Sequence, residues 1–201
     1  MATSNNNIQT LVLASASPRR KELLEQAGYN LIILPADVDE TLPDGISPED
    51  AVKYLANKKA EACAKFILKE KPELSDLPIV AADTVVYKDE IMGKPMDRQD
   101  AKRMIQAISG AFHHVATGVA IILPASGKKD VFCDATKVYC KDLSDDDVEA
   151  YLDTDEPYDK AGAYAIQGIF GKYIERFEGR YDTVVGLPVE PITEALNRFN
   201  K

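Results

Sequence analysis

An apolar run, Leu11-Val12-Leu13, gives way within four residues to Ser17-Pro18-Arg19-Arg20, and this switch constrains the chain more than any other stretch. Such a run reads as a short buried strand. Ser17 suits a helix N-cap and Pro18 the first helical position, where a missing N–H costs nothing. Residues 21–27 then read as a short helix closed by Gly28. Two arginines in a first turn are oddly placed, either merely solvated or held for a ligand, because a helix N-terminus already carries partial positive charge and favours anions. Free backbone N–H groups, the hydroxyls of Ser15 and Ser17, and two guanidinium forks at one helix start describe an anion site suited to phosphate. Neither common glycine-rich phosphate loop is present.

The formal net charge is -9 over 201 residues. That argues against a general nucleic-acid or anionic-membrane binder, since either needs a basic face. A phosphorylated small molecule stays open to it, through local cations or a metal. Cys63, Cys133 and Cys140 form no CxxC pair and no zinc spacing, so they are expected as reduced, buried thiols of a cytoplasmic protein. Residues 1–10 are expected as a disordered polar tail and residues 11–201 as one domain. No apolar run is long enough to cross a membrane.

Along the chain, residues 30–35 read as a strand followed by the acidic stretch Asp37-Val38-Asp39-Glu40, which is either a solvated loop or a place for a metal or a general base. Ser47-Pro48-Glu49-Asp50 opens a long helix whose apolar face is expected to run through Val52, Leu55, Ala62 and Phe66. Lys59 falls on that face, where a lysine must snorkel, pair or serve a ligand. Residues 77–87 read as a buried strand, yet Asp83 and Thr84 sit inside it. An isolated buried carboxylate costs several kcal/mol, so Asp83 needs a partner, a metal or a cleft. Lys94 lies on a turn fixed by Gly93 and Pro95.

Further helices are predicted over residues 97–109, 145–153 and 190–199, and strands over 115–123, 131–140 and 173–177. The strands 115–123 and 131–140 are expected to pair antiparallel across a polar loop at 124–130. His113 and His114 are adjacent and should face opposite ways on a strand, so neither reads as a metal ligand. Small residues around Lys160 and Gln167 suit a ligand-lining loop. Interleaved helices and strands with a hairpin predict an α/β fold with a mixed sheet.

Four segments together resemble one family: ASASPRR at 14–20, ADT at 82–84, GKP at 93–95, and DKAGAY at 159–164 followed by QG at 167–168. They are similar to the Maf proteins, house-cleaning nucleoside triphosphate pyrophosphatases whose fold is related to that of inosine triphosphatases. The resemblance covers residues 11–199. It implies an elongated, twisted mixed β-sheet flanked by helices, with two lobes and a central cleft. It also implies hydrolysis between the α- and β-phosphates with Mg²⁺ or Mn²⁺.

Carried over by position, Ser15, Arg19, Arg20, Lys59 and Lys160 would bind phosphate. Asp83 would activate water, with Glu40 and Lys94 beside it in catalysis and Asp83 and Glu40 as the metal ligands. Arg20, Thr84 and Gln167 would set specificity, and the Asp83-Thr84 pair with Gln167 resembles the branch acting on dTTP and UTP. A glutamine amide can offer both donor and acceptor to a uracil-like ring. The alternatives are a pyrophosphatase for 7-methyl-GTP or another non-standard nucleotide, and a nucleotide-binding regulator of cell division. The expected partner is the nucleoside triphosphate, with no nucleic acid or membrane. The commonness of two-fold assemblies makes a homodimer the default expectation.

Overall fold

In the computed structural model, which describes residues 9–199, β1 (Thr10–Leu13) runs into α1 (Pro18–Gln26) and returns as β2 (Asn30–Ile33), parallel to β1. The long α2 (Pro48–Glu70) then leads to β3 (Ile79–Tyr87), which pairs parallel with the other side of β1. After β4 (Ile91–Met92) and α3 (Arg98–Ile108) come the hairpin strands β5 (Phe112–Leu123) and β6 (Lys128–Cys140), with all twelve β5 residues in register. The chain closes with α4 (Asp145–Leu152), β7 (Ile174–Glu178), α5 (Tyr181–Val185) and α6 (Val189–Phe199). The sheet order is β2-β1-β3-β5-β6-β7, with β4 on the free edge of β3. Two parallel pairs beside antiparallel ones make it the mixed sheet that the interleaved pattern predicts.

Strand alternation divides the core. On one face, Ala56, Ala60, Cys63 and Ile67 of α2 cover Val12, Ile79, Ala81 and Ala120. On the other, Leu24 and the α6 residues Ile192 and Leu196 cover Leu11, Leu13, Val80 and Ala82. A third core lies at the far end of β3 and β5, where Val86, Val115, Met104, Ile105, Tyr151 and Phe170 pack together. The molecule therefore has two lobes that share β3, β5 and β6.

Gly118 fixes how closely α2 lies on the sheet. A Cβ there would sit 2.3 Å from the backbone carbonyl of Val52, well inside contact distance, so only glycine lets the helix approach. Among the described residues, no helix is long and apolar enough to cross a membrane.

Several expectations shift. Residues 1–8 of the expected tail lie outside the described residues, and Thr10 is already paired with Asn30 in β1. The buried face of α2 holds as predicted at Val52 and Leu55 and departs beyond them: Ala62 is only half-buried and Phe66 is 42% exposed, while Ala56, Ala60, Cys63 and Ile67 turn inward. Small residues at those positions let α2 lie close, which the larger Phe66 would prevent. Ser17 does not cap α1 with its hydroxyl, although its backbone is extended as an N-cap requires. The short helix α5, beginning at Tyr181, is not among the helices predicted. Cys133 is half-buried, while Cys63 and Cys140 are buried, and all three thiols are free.

Candidate active site

The site forms where β3 loses a neighbour. β1 pairs with β3 only through Val80, and β4 begins to pair at Val86, so residues 81–85 have no strand partner on that edge. The turn after β1, residues 14–17, ends beside this gap. Its backbone is tied in place by Ala14 N–H to Val80 O at 2.9 Å and by Ser15 Oγ accepting from Ser17 N–H at 3.2 Å.

Arg20 bridges the gap. Its Nε donates to Gly186 O at 2.9 Å, Nη1 to Ala82 O at 2.8 Å and to Ser15 Oγ at 3.3 Å, and Nη2 to Thr84 Oγ1 at 3.1 Å. A guanidinium has five N–H groups, so a single Nη2 donor remains for a ligand. Burial lowers the pKa of Arg20 from its usual value, opposed chiefly by the carboxylate of Asp83. The two guanidinium forks expected at this helix start thus differ: Arg20 is built into the protein. Arg19 forms no ion pair with a described carboxylate and lines the adjacent cavity.

Asp83 and Thr84, neighbours in sequence, face opposite sides of the sheet. Asp83 points toward α2, where Lys59 Nζ lies 2.6 Å from its Oδ1 and 2.8 Å from Glu40 Oε1. The side chains of Lys59 and Asp83 are each 13% exposed, whereas that of Glu40 is 60% exposed. Burial pushes the Asp83 carboxyl above its usual range, against the pull of Lys59 and Arg20. The preceding pair is built alike: Lys58 holds Asp39 at 3.3 Å, and hydrogen bonds from Thr41, with that lysine, bring the exposed Asp39 down to about 2. Successive lysines of α2 therefore pin successive acids of the loop after β2.

Two hard carboxylate oxygens from different elements converge on one cationic centre, and no group of three or more His, Cys, Asp or Glu that could hold a metal occurs among the described residues. Such a donor set does not make a closed protein cage. Two carboxylates would be enough for Mg²⁺ or Mn²⁺ only with waters and substrate phosphates completing the shell.

On the Thr84 side lies a cavity of about 270 Å³. Arg19, Arg20, Lys94 and Lys160 line it together with Thr84 and Gln167. Four cations around one cavity, in a chain of net charge -9, concentrate positive potential where an anion would enter. Lys160 is paired with Asp159. Gly162 N–H donates to Gly93 O at 3.0 Å and so ties the loop carrying Lys160 to the turn carrying Lys94. Gly162 has φ +69, and a Cβ there would meet Val86 at 2.7 Å, so this junction also requires glycine.

Of the residues predicted from sequence, Arg19, Arg20, Lys94, Lys160, Thr84 and Gln167 share this cavity. Asp83, Glu40 and Lys59 form a second cluster on the other face of β3, and Ser15 sits between the two as a partner of Arg20. Sequence reasoning missed Val184, Val185 and Gly186, which line the cavity, and Thr117, which holds Thr84. Thr117 is a polar residue inside an apolar strand, the signal that drew attention to Asp83, and could have been found the same way. His113, buried at Val115's end of β5, bonds Tyr164 OH through Nε2 at 2.7 Å.

Residues 10–199 match the family model described as Maf-like protein. The chain is 45% identical over 189 residues to a dTTP/UTP pyrophosphatase of Acetivibrio thermocellus, covering 94% of each chain. It is 45% identical over 199 residues to a dTTP/UTP pyrophosphatase of Chromobacterium violaceum, covering 97% of each. Among solved structures, the Staphylococcus aureus Ham1 protein matches with a TM-score of 0.52 at 14% identity, over 96% of this chain and 100% of that one. That likeness concerns the fold alone.

Proposed function

Because this chain belongs to the Maf family, we propose that it hydrolyses dTTP and UTP to the nucleoside monophosphate and pyrophosphate. The observation that carries this reading is the cation-lined cavity on one face of β3 and the Asp83–Lys59–Glu40 cluster on the other, with Arg20 spanning the unpaired edge of the strand. The names of the two relatives favour the same substrates.

In this reading Arg19, Lys94 and Lys160 receive the phosphates, and the spare Nη2 donor of Arg20 adds one contact. Asp83 orients and deprotonates the attacking water. A carboxylate whose pKa is raised by burial is the stronger base for that task. Lys59 keeps Asp83 in place and compensates its charge before substrate arrives. Asp83 and Glu40 are the residues that would hold Mg²⁺ or Mn²⁺, which supplies charge neutralisation for the polyphosphate when bound. Thr84 and Gln167 present hydrogen-bonding atoms to the nucleobase.

The test is pyrophosphate release from dTTP, UTP, CTP, ATP, GTP and 7-methyl-GTP, each with Mg²⁺ or Mn²⁺, by wild type and Asp83→Asn. Release from dTTP and UTP, lowered at least about a hundredfold in the variant, is expected for a lost general base. Release confined to 7-methyl-GTP would overturn the substrate assignment, and release unaffected by Asp83→Asn would overturn the role of that residue.

A further inference from the structure

Thr84 and Thr117 are register partners on β3 and β5, and their Oγ1 atoms lie 2.9 Å apart. Thr117 is fully buried, and its hydroxyl also lies 2.8 Å from the carbonyl oxygen of Thr183. A carbonyl only accepts, and a hydroxyl carries one proton and two lone pairs. The proton of Thr117 therefore goes to Thr183 O. In the contact between the two threonines, Thr84 is then the donor. Thr84 Oγ1 also accepts from Arg20 Nη2 at 3.1 Å. Its proton and one lone pair are thus used within the protein, and a single lone pair is left toward the cavity that Thr84 lines. The far end of this chain of bonds is fixed as well: Thr183 Oγ1 donates to Asp134 Oδ2, and Gly186 N–H donates to Thr183 O at 3.1 Å.

We infer that Thr117 is a specificity-positioning residue: by accepting the proton of Thr84 it makes that hydroxyl an acceptor only, so the pocket selects a nucleobase whose ring nitrogen facing Thr84 carries an N–H. The imide N3–H of uracil or thymine meets that demand. Cytosine, whose N3 only accepts, sets two lone pairs against each other. A lone pair that the bound base covers without a donor is a strong basis for discrimination, stronger than a methyl group's difference in size. This inference rests on the pyrimidine reading proposed above and extends it to a residue that touches no substrate.

The α,β-methylene analogues of UTP and CTP, titrated calorimetrically with Mg²⁺ into wild type, Thr117→Val and Thr117→Ser, separate the outcomes. Wild type is expected to favour the UTP analogue. Thr117→Val has nearly the shape of threonine but no acceptor, so Thr84 is free to donate, and the preference should fall about tenfold. Thr117→Ser restores the acceptor and should restore the preference, even where lost packing weakens binding of both analogues. Should Thr117→Val fail to unfold cooperatively, Thr117→Cys, with a weak sulfur acceptor, is expected to move the preference the same way by less. A merely structural role would weaken both analogues alike in Thr117→Val or Thr117→Cys and leave their ratio unchanged, which would overturn the assignment of Thr117 and spare the proposed function. A wild type with no preference for the UTP analogue would overturn both.

Discussion

Arg19 and Arg20 are neighbours with opposite surroundings, and the difference is measurable. Arg20 satisfies two backbone carbonyls and two hydroxyls across the gap in the sheet. A lysine there has one ammonium in place of a planar fork and cannot reach all of them. Arg20→Lys is expected to destabilise the fold by about 2–4 kcal/mol in urea unfolding, through buried acceptors left without donors. Arg19→Ala should change stability by less than about 0.5 kcal/mol, yet raise KM for the nucleotide about tenfold or more by removing a charged contact to phosphate. Equal stability losses in the two variants would contradict this division. The sequence placed both arginines at one helix start, but adjacency could not tell which of them the fold would use.

At the scale of elements, the pairing of α2 with the sheet decides where Lys59 goes. Gly118 lies opposite Asp83 in the β3–β5 register, and its missing side chain is the space that the Val52 backbone fills. Gly118→Ala should force α2 outward, because a backbone carbonyl cannot swing aside as a flexible side chain can. The expected cost is about 1–3 kcal/mol, seen as a lowered Tm, together with a loss of activity as Lys59 withdraws from Asp83. Retained activity at a lowered Tm would show that the Lys59–Asp83 contact tolerates a displaced helix. The sequence did put Lys59 on an apolar face and Asp83 in an apolar strand, each short of a partner. That they partner one another follows from α2 crossing β3, a contact of residues 24 apart in sequence. The same crossing explains why the predicted stripe on α2 holds at Val52 and Leu55 but not at Ala62 and Phe66: past Leu55, close packing selects the row through Ala56, Ala60 and Cys63.

Over the whole molecule, the far end of β3 and β5 buries a histidine whose protonation is tied to folding in the acid range. His113 is completely buried against Tyr164, and burial, with smaller contributions from His114 and Lys88, takes its pKa from 6.5 down to about 3. Below about pH 6.5 the unfolded chain takes up a proton that the folded chain refuses until about pH 3. Unfolding is therefore favoured progressively as pH falls through that window, by up to about 1.4 kcal/mol per pH unit. His113→Gln keeps a polar partner for Tyr164 without a titrating ring, so its stability should decline less steeply between pH 6 and pH 4. Parallel pH profiles for the two proteins would show that His113 carries none of the acid sensitivity.

At this scale the division of labour is physical. Local chemistry is written in neighbouring residues: N-caps, prolines at first helical positions, the antiparallel hairpin and the cations of ASASPRR all follow from short-range sterics and charge. So do the mixed α/β class and the segments that carry the resemblance. What meets the site on each side of the sheet does not. Asp83 and Thr84 are adjacent, and strand alternation alone sends them to opposite faces. Only the tertiary structure decides that α2 waits on one face with Lys59, that Arg20 closes the gap in the sheet, and that Thr117, Thr183 and Asp134 orient the hydroxyl of Thr84. Those contacts join residues tens of positions apart, and their polarity depends on which lone pairs and protons are already taken.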